Sequence, residues 1–142
     1  MTPDDLAALH WRCFPDNRAW SAAEFRDLLG NETTVLIHVR HGFVLGRIVG
    51  GEAEILTLAV APEHRNRGTG SCLIEKFKKA AASGSAGRVV LEVATDNDEA
   101  RSLYQKTGFR AAAIRKDYYK ALPHKEKVSA LVMTCDIEPD RG

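Results

Sequence analysis

No surplus of charge of either sign marks this sequence: 20 lysines and arginines stand against 19 aspartates and glutamates, a formal net charge of +1. That balance argues against a broad electrostatic footprint for nucleic acid or an anionic membrane, so any polyanion must be gripped locally. Apolar runs of the roughly 18 residues that span a bilayer are also missing. The N-terminus, MTPDDLAALHWRC, lacks the basic start and apolar stretch of a secretory leader. A soluble cytoplasmic protein is expected. Cysteine is scarce: Cys13, Cys72 and Cys135 lie far apart, each inside an apolar pattern, so neither a disulfide framework nor a zinc site is implied. All three read as buried structural thiols. His10, His38, His41, His64 and His124 show no metal-ligand spacing and receive no role. Repeats, low-complexity tracts and linkers are absent as well, so residues 1–142 read as one domain, long enough to bury about 68% of the surface its unfolded chain exposes.

What is present is patterned. Leu6, Leu9, Cys13 and Phe14 recur at helical spacing, and Ser21 with Glu24 forms a capping box for a second helix carrying Phe25, Leu28 and Leu29. TTVLIHVR (33–40) and GFVLGRIV (42–49) are rich in β-branched residues and read as a hairpin, with EAEILTLAV (52–60) as a third strand ended by Pro62. From Gly70 the period becomes helical, with Leu73, Ile74, Phe77, Ala80 and Ala81 on one face up to ASGSAG. RVVLEVAT (88–95) is again strand-like, as in a right-handed parallel crossover. Asp96 with Glu99 reads as the cap of a further helix, closed by Gly108, and FRAAAIRKDYY, a polar loop around Pro123 and VSALVMTCDI (128–137) finish the chain. The order implies an α/β (α+β) fold, a mixed sheet with helices packed on it.

Between the third strand and the helix lies HRNRGTGSCLIE. A helix N-terminus presents unpaired N–H groups and a positive dipole end, and glycines let phosphate oxygens approach the backbone, so the loop fits a pyrophosphate. A triphosphatase loop would follow its second glycine with Lys and Ser or Thr, where this chain has Ser71 and Cys72. The dinucleotide fingerprint fails too, because Leu73 stands where its third glycine belongs. What remains is a metal-free diphosphate seat with Arg65 and Arg67 alongside.

Arg65-x-x-Gly68-x-Gly70 resembles the R/Q-x-x-G-x-G/A acetyl-CoA signature of the GNAT N-acetyltransferases, and Asn97, Ala100, Leu103, Tyr104, Gly108 and Phe109 resemble that family's N-x-x-A-x-x-L-Y-x-x-x-G-F segment. Coenzyme A carries a diphosphate but no transferable phosphoryl group, which accounts for the missing lysine. CFPDNRAWSAAEF, LEVATDN, LYQKTGF and IRKDYYK further resemble the ribosomal-protein-alanine acetyltransferases, across most of residues 11 to 137. The resemblance implies a mostly antiparallel sheet splayed between two parallel strands, helices on both faces, and a first strand for which this chain has no residues before MTPDDLAAL.

Amide formation from a thioester needs a neutral amine, a polarised carbonyl and a proton for the departing thiolate. In RVVLEVAT, Glu92 alternates with Val89, Leu91 and Val93 and sits between small or apolar neighbours, where desolvation would raise its pKa toward a general base. A sheet-edge carboxylate, or one paired with one of the many nearby lysines, is the alternative. The resemblance implies that Glu92 is the base, acting through water, and Tyr104 the acid to the coenzyme A sulfur. It further implies that Arg65, Asn66, Arg67, Gly68, Thr69, Gly70, Ser71 and Asn97 hold the cofactor, that backbone groups of Leu58, Ala59 and Val60 hold its pantetheine and carbonyl, and that Phe14, Trp20, Tyr118 and Tyr119 form a slot for an extended peptide terminus. The expected activity is acetyl-CoA-dependent transfer, by direct attack, to the α-amine of a protein or peptide, a ribosomal protein being the implied partner. Lysine side chains, a small-molecule amine, or acyl-CoA binding without catalysis are the alternatives. A monomer without metal, nucleic-acid or membrane partners is the expectation.

Overall fold

The computed structural model describes residues 1–14, 19–119 and 128–140, with the backbone alone for Asp117, Tyr118, Tyr119 and Val128. The expected loop around Pro123, with His124, lies outside the described residues. Two helices, α1 (Pro3–Cys13) and α2 (Ala22–Leu29), precede the strands β1 (Thr34–Val39), β2 (Gly42–Val49) and β3 (Glu52–Val60). A 3₁₀ turn at Pro62–His64 leads to α3 (Thr69–Ser83), β4 (Arg88–Ala94), α4 (Asp98–Lys106), β5 (Arg110–Tyr119) and β6 (Val128–Asp136).

Local signals set the helix starts. The Ser21–Glu24 capping box forms reciprocally, as does a second one at Thr2 and Asp5 ahead of α1. At α4 the Asp96–Glu99 expectation is corrected by one residue: the helix begins at Asp98 and Asn97 is the cap, its Oδ1 accepting from the Ala100 N–H at 3.1 Å.

The sheet runs in the order β1-β2-β3-β4-β6-β5, with β3 and β4 parallel and the remaining neighbours antiparallel. Parallel pairing lasts only from Glu52↔Arg88 to Ile55↔Leu91. Beyond it β3 stays with β2 to Val60 and β4 stays with β6 to Ala94, so the sheet opens in its middle. A β-bulge starts the divergence: Gly46 pairs with Ile55 and Leu45 with Thr57, leaving Leu56 extra and bending β3. This is the splayed mixed sheet that the resemblance implies; among the described residues β1 is its outer edge and no strand precedes α1.

Each face of the sheet carries its own core. Val44, Leu73, Ile74, Phe77, Leu91 and Tyr104 fill the α3–α4 side, while Leu6, Phe25, Phe43, Leu45 and Ala59 fill the α1–α2 side. Strand alternation explains β4, where Val89, Leu91 and Val93 enter the α3–α4 core and Glu92 takes the opposite side. In β3 the bulge reverses the phase: Ala53 and Ile55 face α3, but Thr57 and Ala59 face α1. Gly46 is needed for contact, since a Cβ there would come within 2.3 Å of the Glu54 carbonyl and 2.5 Å of the Phe77 ring. Cys135 is buried and Cys13 half-buried, but Cys72 is exposed, a correction to its reading as a core thiol. The α3 stripe of Leu73, Ile74, Phe77 and Ala81 leaves that position turned to solvent.

Candidate active site

The parting of β3 from β4 opens a cavity of about 530 Å³ that reaches from the start of α3 to the α1–α2 side of the sheet. Phe14, Trp20, Leu58, Ala59, Val60, Arg65, Asn66, Gly68, Thr69, Gly70, Ser71, Glu92, Asn97 and Tyr104 all border it. Arg67 does not, and the side chains of Tyr118 and Tyr119 lie outside the described part of the structure. Residues spread over 90 positions of sequence are thus brought to one gap.

At one mouth stands the N-terminus of α3. Whereas α1, α2 and α4 each receive a side-chain cap, Gly68 caps α3 with no side chain, and no acidic residue occupies the first turn. The first-turn N–H groups therefore keep their capacity to donate, and the positive dipole end is not neutralised. The two glycines serve different ends. Gly68 has φ +82°, and a Cβ there would meet nothing, so its backbone conformation is the requirement. A Cβ on Gly70 would come within 2.7 Å of the Leu103 side chain, so this glycine lets α3 pack on α4. Arg65 spans the rim: Nε donates to the Val60 carbonyl at 3.3 Å and Nη1 lies 3.5 Å from Glu99 Oε2.

Across the gap the sheet separates two groups. Tyr104, 7% exposed, belongs to the α3–α4 core with its ring edge-on to Phe109 at 5.7 Å. Glu92 faces the opposite side and is not isolated among apolar neighbours: Arg115 Nη1 donates to its Oε1 at 2.6 Å. Arg115 lies on β5, two strands away, and reaches diagonally over β6: Glu92 pairs with Val132, whereas Arg115 pairs with Ala130. The Asn97 carbonyl oxygen is taken by its capping bond, leaving its amide N–H₂ as a donor toward the cavity.

His10, given no role from sequence, is 2% exposed and borders the same cavity. Its ring stacks on Phe14 at 4.5 Å and on Trp20 at 5.1 Å, while Nδ1 accepts from the Trp20 N–H at 3.0 Å and Nε2 lies 2.8 Å from Thr57 Oγ1. The signal available beforehand was its place on the Leu6–Leu9–Cys13 stripe of α1. Burial drives its pKa down from 6.5 to about 4, Glu24 opposing weakly. The folded chain then binds this proton less readily than the unfolded one, so the stability at issue is complete above pH 6.5 and is lost as pH falls toward 4. The loss is up to about 3 kcal/mol. The melting temperature of the wild type should fall across that window more steeply than that of His10→Gln; parallel curves would assign the acid sensitivity elsewhere.

A parallel strand pair thus opens midway, with an uncapped helix N-terminus at the mouth and a carboxylate and a phenol on opposite sides of the gap. The chain belongs to the acetyltransferase (GNAT) family, whose model matches residues 4–109. It is 32% identical over 123 residues to the N-alpha-acetyltransferase RimI of Mycobacterium tuberculosis, covering 80% of this chain and 76% of the relative. It is 30% identical over 140 residues to the [ribosomal protein bS18]-alanine N-acetyltransferase of Escherichia coli, covering 96% and 93%. An uncharacterised Mycobacterium leprae protein is 34% identical over 133 residues, but the matched region is only 36% of that protein's length. Among solved structures, the E. coli ribosomal-protein-S18-alanine N-acetyltransferase superposes with a TM-score of 0.80 at 23% identity, over 95% of this chain and 87% of that one. Arabidopsis thaliana NAA60 in complex with acetyl-CoA gives 0.79 at 20%, over 95% and 93%. The enzyme is an N-acetyltransferase. No helix among the described residues is long and apolar enough to cross a membrane.

Proposed function

We propose that this acetyltransferase uses acetyl-CoA to modify the α-amine of a protein or peptide N-terminus, by direct attack within a ternary complex. The observation that carries the proposal is the gap through the sheet, with the uncapped start of α3 and Tyr104 on one side and Glu92 with an aromatic wall on the other. Names of two relatives at 30–32% identity, one an N-alpha-acetyltransferase and the other a [ribosomal protein bS18]-alanine N-acetyltransferase, support the choice of acceptor, and a ribosomal protein is the partner class we favour.

Acetyl-CoA would supply a thioester carbonyl and a thiolate leaving group. N–H groups of Gly68, Thr69, Gly70 and Ser71, with Arg65 and Asn66, suit its diphosphate, and the Asn97 amide suits the arm below it. Arg67 would act only through its charge at the rim. Past Ile55, Leu58, Ala59 and Val60 pair with β2 but have no β4 partner, so the backbone groups on their open edge suit the arm and an N–H among them would polarise the carbonyl, the Val60 carbonyl being already engaged by Arg65 Nε. A neutral amine would attack the thioester carbon; as the C–N bond forms and C–S breaks, the nitrogen loses one proton through water to Glu92 and Tyr104 gives one to sulfur, solvent returning the proton from Glu92 to the phenolate. Phe14 and Trp20 wall the acceptor slot, with Tyr118 and Tyr119 assigned to it from sequence.

Chemistry favours an α-amine, which with a reference pKa near 7.8 is about a quarter neutral at pH 7.4, against about one part in a thousand for lysine. Turnover on two peptide libraries, one with free N-termini and one N-terminally blocked but lysine-containing, tests the reading. Acetylation confined to the first set is the expected result. Acetylation confined to the second would overturn the acceptor, and acetyl-CoA binding without transfer to either would overturn catalysis.

A further inference from the structure

Thr57 follows the β3 bulge, and its hydroxyl makes one hydrogen bond among the described residues, to His10 Nε2 at 2.8 Å. The direction of that bond follows from the other ring nitrogen. Trp20 N–H donates to Nδ1, so Nδ1 keeps its lone pair and a neutral ring carries its hydrogen on Nε2. Nε2–H therefore donates to Thr57 Oγ1, and the hydroxyl has its own hydrogen left to give. Thr57 is 8% exposed and borders the cavity. The bulge has turned it to the α1 side, the side Glu92 faces; Glu92 directly follows Leu91 and Thr57 stands two residues after Ile55, the pair at which pairing of β3 with β4 ends. A single outward donor thus stands across the gap from the carboxylate.

A nucleophilic nitrogen has no use for that donor, because its lone pair must attack carbon. A neighbouring oxygen does. An N-terminal residue carries a carbonyl oxygen on the carbon next to its amine-bearing carbon, whereas four methylenes and Cα separate a lysine ε-amine from any carbonyl. We infer that the Thr57 hydroxyl donates to the carbonyl oxygen of the acceptor's first residue and so selects α-amines over ε-amines, and that His10 is the positioning residue that aims it. This rests on the N-terminal reading proposed above. An acceptor lacking that oxygen would bury the hydroxyl without a partner, the more discriminating kind of mismatch.

The test compares kcat/KM for a free-N-terminus peptide with that for an N-terminally blocked lysine peptide. Thr57→Val, which keeps the shape and removes the donor, should lower the ratio about tenfold, chiefly through KM for the free-terminus peptide. Thr57→Ser should restore it to within about twofold. His10→Gln, which presents both an acceptor and a donor, should hold more of the ratio than His10→Phe, which presents neither. An unchanged ratio in Thr57→Val, or an equal loss on both peptides, overturns the inference and leaves the N-terminal reading standing. A wild-type ratio near or below one overturns that reading before any substitution is made, and the inference with it.

Discussion

Tyr104→Phe is expected to slow turnover about a hundredfold or more while leaving affinity for acetyl-CoA within about twofold, the range that positioned proton transfer contributes. The substitution is clean because the ring does the packing. Tyr104 is nearly buried in the α3–α4 core and rests edge-on against Phe109, contacts that phenylalanine retains. With the ring packing kept, a loss of rate that exceeds any loss of melting temperature falls on the missing hydroxyl proton. If that proton goes to sulfur, the deficit should shrink with an acetyl thioester of a more acidic thiol, which leaves without assistance. Calorimetry for the cofactor and single-turnover kinetics for the two thioesters decide it. Unaltered kcat, or an equal deficit with both thioesters, would remove Tyr104 from the acid role.

Sequence disclosed most readily whatever is settled within a few residues. The Ser21–Glu24 box and the change of period at Gly70 need only neighbours on the same helix, and both stand as read. The α4 cap slipped by one residue because Asp96, Asn97 and Asp98 are all competent caps, and only the turn that binds the Asn97 N–H to the Ala94 carbonyl selects among them. Features that join distant segments were illegible. Gly70 looked like a phosphate-contact glycine; its steric neighbour is Leu103, on another helix. The Leu56 bulge leaves no mark on the alternation of ILTLAV, yet it turns Thr57 from the α3 side to the α1 side and so creates the contact with His10. Arg115 could not be foreseen beside Glu92, because the pairing depends on β6 inserting between β4 and β5.

That ion pair shapes the second large effect. Glu92→Gln is expected to lower kcat/KM for the amine about a hundredfold, with acetyl-CoA affinity unchanged, since glutamine keeps the volume but cannot take the proton. Loss of stability is not a competing explanation. The Arg115 side chain is 53% exposed and that of Glu92 27%, so breaking their bond removes at most about 1 kcal/mol, too little to unfold the domain. Arg115 should matter only by holding the carboxylate toward the gap, so Arg115→Met alone should cost several-fold, and Arg115→Met combined with Glu92→Gln should be no slower than Glu92→Gln by itself. Steady-state kinetics on the four proteins of this cycle give the answer. Additive losses would mean that Arg115 touches substrate on its own account, and a Glu92→Gln enzyme within about threefold of wild type would show that the amine loses its proton to another group.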